Sequence, residues 1–183
     1  NGQPVNESAP LAPAKAVAWR PQVEQKVMAA SQVRGVALRP GVVYGKSGGL
    51  TGLWFSGAAN GGVRVVGDGR NRWAMVHVDD LAQAYVLAAE NGLGGEVFNL
   101  VNDAHATVQE MAAAASKAAG NASPIVHVPV DEAAQSAGDM AEALALDQLI
   151  GNQKAVRVLN WRPTHAAFVD ETPTYYAAWK ASV

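Results

Sequence analysis

Apolar residues recur every three or four positions in several stretches of the chain and gather into short runs in others, so the pattern predicts helices alternating with strands. From Pro21 to about Val33, the positions Val23, Val27, Met28 and Ala30 fall at helical spacing, and Pro21 suits a first-turn position where its missing N–H costs nothing. Val36-Ala37-Leu38 is an apolar run closed by Arg39-Pro40-Gly41, as expected of a buried strand ending in a turn. A second helix is predicted over Leu50 to Ala59, stopped by Asn60-Gly61-Gly62. Val63 to Val66 and Trp73 to Val78 are rich in β-formers and are separated by Gly67-Asp68-Gly69-Arg70-Asn71, which is turn chemistry. Asp79 or Asp80 then caps a helix that carries Leu81, Ala84, Tyr85, Leu87 and Ala88 and ends at Asn91-Gly92. Glu96 to Val101 reads as a strand, Thr107-Val108-Gln109-Glu110 as a capping box opening a helix to about Ala119, and Ile125 to Val130 as another strand. From Asp131 on the chain reads as mostly helical, with Asn152 capping Gln153 to Leu159 and Pro173 near the start of a last helix to Ala181. This alternation predicts an α/β fold with a mainly parallel sheet.

Composition narrows the function classes. With 183 residues, 49% of them hydrophobic and 16% charged, the chain has enough apolar material for one core and too little charge for a disordered one. Its 14 basic and 16 acidic residues leave a formal charge of −2, which rules out nucleic acid or an anionic membrane surface as an obvious partner. Cysteine is absent, so disulfides, thiolate zinc sites and a cysteine nucleophile are excluded, in keeping with a reducing, cytoplasmic setting. The uncharged stretch Ser47 to Val63 is too short, and with six glycines too broken, to span a membrane. The opening residues carry neither a basic region nor an apolar run, so no signal peptide is visible there. A start at Asn1-Gly2-Gln3-Pro4, with no initiator Met, reads as a piece of a longer protein.

An α/β domain that binds a dinucleotide carries a Gly-rich turn between its first strand and a helix, and no such turn is found here. Gly57 to Gly62 follows a helix and Gly67-Asp68-Gly69 joins two strands, so both read as turns. No Walker loop, G-x-S-x-G elbow or H-E-x-x-H motif occurs either. His105, His127 and His165 have no ligand spacing, so no metal is expected.

Four segments taken together go further. They are Val36-Ala37-Leu38-Arg39-Pro40-Gly41-Val42-Val43-Tyr44-Gly45, then Trp73-Ala74-Met75-Val76-His77-Val78-Asp79-Asp80-Leu81-Ala82, then Val97-Phe98-Asn99-Leu100, and last Lys154-Ala155 followed by Leu159-Asn160-Trp161-Arg162-Pro163. In order and spacing they resemble the C-terminal half of extended short-chain dehydrogenases of the NAD-dependent epimerase/dehydratase type. The resemblance implies a Rossmann-like, doubly wound sheet that binds NAD or NADP, of which this chain holds the C-terminal part and the small substrate-binding subdomain. Gly2 to Leu11 is similar to the loop after the strand that bears the family's catalytic Ser or Thr, which implies that this residue and the glycine-rich fingerprint lie upstream. The cofactor would then be bound mainly by that upstream half.

The same resemblance exposes departures. Counting back from Glu24-Gln25, the positions of the family's Tyr and Lys proton-transfer pair are held by Ala16 and Arg20, so the phenol that would pass a proton to a substrate hydroxyl is missing and the catalytic group is unknown. Arg20 remains a candidate for the cofactor ribose, beside the alternative of a solvated charge. Arg39, Pro40, Gly41, Val42 and Val43 would run along the nicotinamide, chiefly through backbone. Where nucleotide-sugar members commonly carry an Arg for the diphosphate stands Trp73, with Arg72 displaced by one and so facing the opposite way. Tyr44, Gly45, Trp54, Arg72, Trp73 and His77 are the candidate substrate contacts, with His77 also readable as structural, and Tyr44 a candidate replacement phenol. The expected activity is an NAD(P)-dependent oxidation, reduction or isomerisation of a sugar or sugar-like hydroxyl or carbonyl. The alternative is a non-catalytic sensor or accessory protein that keeps the fold and cofactor. A small-molecule substrate and a second copy of the chain are the partners left open.

Overall fold

The computed structural model describes residues 3–91, 94–120 and 122–183. The expectations placed on Asn1-Gly2 and on Gly92 lie outside these residues. After a single 3-10 turn at Lys15–Val17, the elements run α1 (Arg20–Ala29), β1 (Val36–Pro40), β2 (Val42–Tyr44), α2 (Thr51–Ala59), β3 (Val63–Val66), β4 (Met75–His77), α3 (Val78–Asn91) and β5 (Glu96–Leu100). There follow α4 (Val108–Ala118), β6 (Ile125–Val128), α5 (Val130–Ala137), α6 (Met140–Ala145), α7 (Gln153–Leu159) and α8 (Phe168–Lys180). Among the described residues no helix is long and apolar enough to cross a membrane.

All three strand pairs are parallel, as the alternation of helices and strands requires. β1 lies beside β5 in the register Leu38↔Phe98, β2 beside β4 with Val43↔Val76, and β3 beside β6 with Val65↔His127. The turn between β3 and β4 therefore does not close a hairpin: each strand leaves it for a different partner. β2 is a strand that the apolar run at Val36–Leu38 did not announce. Gly41 makes it, because its N–H bonds to the Leu100 carbonyl while the next N–H, of Val42, bonds to the Ala74 carbonyl, so the chain steps from the β1/β5 pair onto the β2/β4 pair. Any side chain at Gly41 would collide with the Ala74 carbonyl.

Two large apolar clusters hold these layers, beside a small third of Val128, Ala133 and Ala141. One joins Tyr44, Trp54, Phe55, Trp73, Phe168 and Tyr175 between α2, α4, α8 and β3; the other joins Val76, Phe98, Leu100, Leu159 and Trp161 between β5, α3 and α7. α1 takes part in neither. It stops at Ala29, short of Val33, and buries none of its residues fully; of the predicted apolar stripe Met28 is partly covered and Val27 lies against Gly35.

Several local expectations change for identifiable reasons. Thr107 and Glu110 form the capping box as read. Asn152 occupies the cap position of α7, but its amide donates to the Val101 carbonyl (2.7 Å) and caps nothing. α8 begins at Phe168 and is broken at Glu171 (φ −116°, ψ 15°), so Pro173 lies in the first turn of its second stretch, as read, where its missing N–H costs least. α3 starts at Val78 with neither aspartate as cap. The Asp79 N–H is accepted by His77 Nδ1 (3.2 Å), and Asp80 turns inward.

Candidate functional site

In open parallel sheets ligands gather at the carboxyl ends of strands, and here the candidate residues fall into two groups, the first of them at such ends. The first lies where β2 and β4 finish side by side, with Tyr44 opposite His77. Gly45 follows with φ +102°, and a side chain there would collide with His77 Nε2, so the glycine is required twice over. His77 is buried and stacks on His165, ring centroids 3.6 Å apart and planes 11° from parallel. Burial and the neighbouring His165 push the His77 pKa down, so it is held neutral. Beneath the pair is Asp80, 2% exposed, whose carboxylate accepts from the Thr164 N–H and hydroxyl (both 3.0 Å), from the His165 N–H (3.2 Å) and from His165 Nδ1 (3.0 Å). Burial works to raise the Asp80 pKa, and these donors outweigh it and bring it below the ordinary value. The Asp80 carbonyl also accepts from Trp161 Nε1 (2.8 Å).

His77, Asp79 and His165 are close enough together to suggest a metal site. The geometry argues against one. Ligand lone pairs lie in the ring planes, so two parallel stacked imidazoles cannot both aim at one ion, and Asp79 holds Lys46 at 2.5 Å.

Tyr44 is the phenol that sequence reasoning offered in place of the missing one, and the structure corrects that expectation. It is 1% exposed, its hydroxyl donates to the Ala166 carbonyl (2.7 Å) and accepts from Asn102 Nδ2 (3.1 Å), and burial pushes its pKa up to about 12. Edge contacts to His77, Phe168 and Tyr175 complete its enclosure. A phenol so held is a core anchor.

The second group is built on α2, β3 and the segment before β4. Trp54 and Trp73 stack at 5.0 Å and 12° and form one wall of a cavity of about 410 Å³. Trp73 Nε1 donates to the Leu144 carbonyl (3.0 Å), which closes the cavity on the side of α6. Arg72 faces away from Trp73, as expected of adjacent strand residues. Its guanidinium forms a two-point pair with Asp147, whose pKa it draws down to about 2. A diphosphate contact by Arg72 would require breaking that pair.

Of the remaining candidates, Ala16, Arg20 and Arg39 lie in neither group, while Val42 and Val43 touch the clusters beneath them. Ala16 is half-buried in the 3-10 turn, and Arg20 is exposed with its guanidinium over the Trp19 ring at 5.7 Å. Arg39 grips Glu24 of α1 through Nε and one terminal nitrogen (3.0 and 2.6 Å), which raises its pKa and leaves only its backbone to line a ligand. Pro40 ends β1, and Val42 and Val43 lean into the two apolar clusters, Val42 against the one that contains Trp54 and Trp73. One helix among the described residues, α2, does open on a glycine-rich turn after a strand, Gly45 to Gly49 between β2 and Thr51, but its glycines lack the G-x-G-x-x-G spacing and its Lys46 is paired with Asp79, so it does not fit the dinucleotide fingerprint.

Sequence reasoning missed His165, Asn102 and the carboxylate of Asp80 as a buried acceptor. Only the pairing of Asp79-Asp80 with Trp161-Arg162-Pro163 in one ordered series hinted that the two segments meet.

Comparison with known proteins agrees with this geometry. The model of the NAD dependent epimerase/dehydratase family matches residues 3–100, more than half of the chain, and the chain belongs to that family. An uncharacterised protein of Schizosaccharomyces pombe is 29% identical over 115 residues, which are 62% of this chain and 38% of that protein. Among solved structures, the UDP-glucuronic acid 4-epimerase of Bacillus cereus, in complex with UDP-glucuronic acid and NAD, superposes with a TM-score of 0.80 at 16% identity over 100% of this chain and 58% of its own. A functionally unknown conserved protein from Silicibacter pomeroyi gives 0.77 at 22% identity, over 100% of this chain and 61% of that one. These likenesses establish the Rossmann-like α/β fold of the family. The chain spans under two-fifths of the curated relative and about three-fifths of the solved structures.

Proposed function

We propose that this chain is the substrate-side portion of an NAD(P)-dependent oxidoreductase or isomerase that acts on a hydroxyl or carbonyl of a small, sugar-like molecule, and that the fingerprint for the cofactor pyrophosphate lies upstream of residue 1. One observation carries the reading. Val42, in the segment assigned to the nicotinamide wall, packs against the same cluster as Trp54 and Trp73, so the cofactor and substrate walls share one side chain layer. Pro40, Gly41, Val42 and Val43 would hold the nicotinamide side of the cofactor by backbone and apolar contact, with Arg20 at its ribose. The bound nicotinamide supplies the hydride donor or acceptor. Trp54 and Trp73 orient the substrate; His77 and Gly45 shape the ends of β2 and β4 beside it. A second copy of the chain would cover α1, whose Trp19, Val23 and Val27 stay exposed.

Ala16 favours the second reading, a sensor or accessory protein that binds the cofactor without turnover. Without a phenol at that position, Arg20 has no proton donor to tune. The test is made in the longer protein that carries the fingerprint. Ala16→Tyr with Arg20→Lys should raise NAD(P)H-linked turnover of small alcohols and carbonyls by about 10²–10⁴-fold over a nearly inactive parent, the usual contribution of general acid–base catalysis. A parent already turning over at about 1 s⁻¹ or faster would place the proton donor elsewhere and remove the sensor reading.

A further inference from the structure

The cavity beside the two stacked indoles has no buried charge to offer. Its walls are mostly apolar, with Trp54, Trp73, Leu50, Leu53, Val66 and Leu144 among them, and Ser56, Asn60 and Arg64 are their polar members. The indole N–H of Trp73, the donor that could greet a polar ligand, is spent on the Leu144 carbonyl. Arg72, next in sequence, is neutralised by Asp147 outside the cavity. The lining cation Arg64 is mostly exposed and faces Glu132 at 3.7 Å, so its charge is screened by solvent and shared with that carboxylate. A diphosphate placed there would lose much of its hydration without gaining a buried counter-charge, which disfavours it. Flat apolar walls reward the opposite kind of molecule. The indoles, 4% and 5% exposed and stacked on each other, present their rims beside Leu50, Leu53 and Val66 to a flat apolar ring, and the Ser56 hydroxyl on the lining is a neutral group suited to one carbonyl or hydroxyl oxygen.

We infer that this cavity is a binding site for an uncharged ring compound bearing a single carbonyl or hydroxyl, such as an aromatic or alicyclic ketone or alcohol, and that it does not receive a nucleoside diphosphate. The assignment rests on the reading of this face as the substrate side, and it narrows the substrate class from sugar-like molecules to neutral rings. The volume of about 410 Å³ holds a bicyclic ring system and lies within the range of small-molecule pockets.

The experiment is calorimetric titration of the 183-residue chain with 1-tetralone, a neutral bicyclic ketone, and separately with UDP. Neither titration needs the cofactor. Tetralone should bind saturably with Kd on the order of 0.1–1 mM, as its few heavy atoms allow, while UDP should give no saturable heat up to about 5 mM. Leu53 is 67% exposed at the cavity mouth, so Leu53→Asp leaves the core intact while placing a charge against the ligand. That variant, shown folded by its circular dichroism, should weaken tetralone at least tenfold, and Trp54→Phe should weaken it by less. Three results would each overturn the assignment: no tetralone binding, tetralone binding unchanged in Leu53→Asp, or saturable UDP binding that Leu53→Asp abolishes. Tetralone binding without any NAD(P)H-linked turnover in the longer protein would instead sink the oxidoreductase reading and leave the cavity assignment standing.

Discussion

Asp80 shows how much a single side chain settles here. Its carboxylate gathers four donors from Thr164 and His165 and its carbonyl takes the Trp161 indole, so the C-terminal segment is tied to the start of α3 through one residue. Asp80→Ala leaves those donors without an acceptor in a buried place, and the loss should be about 2–4 kcal/mol of stability, read as a lower denaturation midpoint in urea. An unchanged midpoint would mean that water replaces the carboxylate. His77 predicts a pH dependence. It is faced by His165, Asp79, Asp80 and Glu171, and its folded pKa lies below the ordinary value of about 6.5 because of burial first and His165 second. The unfolded chain therefore binds more protons around and below pH 6.5, so stability is full above that pH and falls as the pH drops toward the folded pKa. Thermal unfolding followed from pH 7.5 to 5 should show the fall. His77→Asn, which keeps an acceptor for the Asp79 N–H, should flatten it. An identical slope in both proteins would assign the dependence to another group.

At the scale of elements, α1 contrasts with the rest. Its apolar positions were legible as a helix, but no residue of it is buried, and the two-point ion pair of Arg39 with Glu24 is its clearest tie to β1. Arg39→Ala should therefore speed amide hydrogen exchange throughout α1 while leaving the amides of β5 and α4 unchanged. Uniform loss of protection would instead make the pair part of the core. The strands show what periodicity could and could not supply. Runs of β-branched residues located β1, β3, β5 and β6 to within two residues or so, because those side chains report half-buried pleated surface wherever they sit. The partners were not legible: the Gly67–Asn71 turn looks the same whether the next strand folds back or moves on, and only the parallel ladders distinguish the two. The capping box at Thr107 was readable because both its partners are local, whereas Asn152 and Asp80 were misread as caps because their partners, Val101, Thr164 and His165, are distant in sequence.

On the scale of the whole molecule, one flank of the described residues combines an unpaired strand edge with exposed apolar side chains. β1 pairs with β5 alone among the described residues, Val36, Leu38 and Tyr85 line a groove of about 380 Å³ beside α3, and Val23 and Val27 stay exposed on α1. An unpaired strand edge next to exposed apolar side chains invites association. The isolated chain should accordingly show a sedimentation coefficient that rises with concentration, and Val23→Lys with Tyr85→Lys should hold it at the monomer value without lowering its melting temperature. A parent that stays monomeric across the concentration range would show that this flank needs no cover.

The sequence by itself determined the α/β class, the positions of most elements and, through four short segments in order, the family, because propensity, helical and strand periods and local caps are properties of neighbours along the chain. The resemblance carried by those segments also set the expectation of Ala16 at the phenol position and of Trp73 where a cation is common. Tertiary structure alone decided that Tyr44 is enclosed, that His77 stacks on His165, that Arg72 belongs to Asp147, and that Trp54 and Trp73 meet around a mostly apolar cavity. The physical reason is the same in each case. Whether a side chain is solvated, paired or stacked depends on groups brought to it from tens of residues away, and burial and pairing, rather than residue type, set what its chemistry can be.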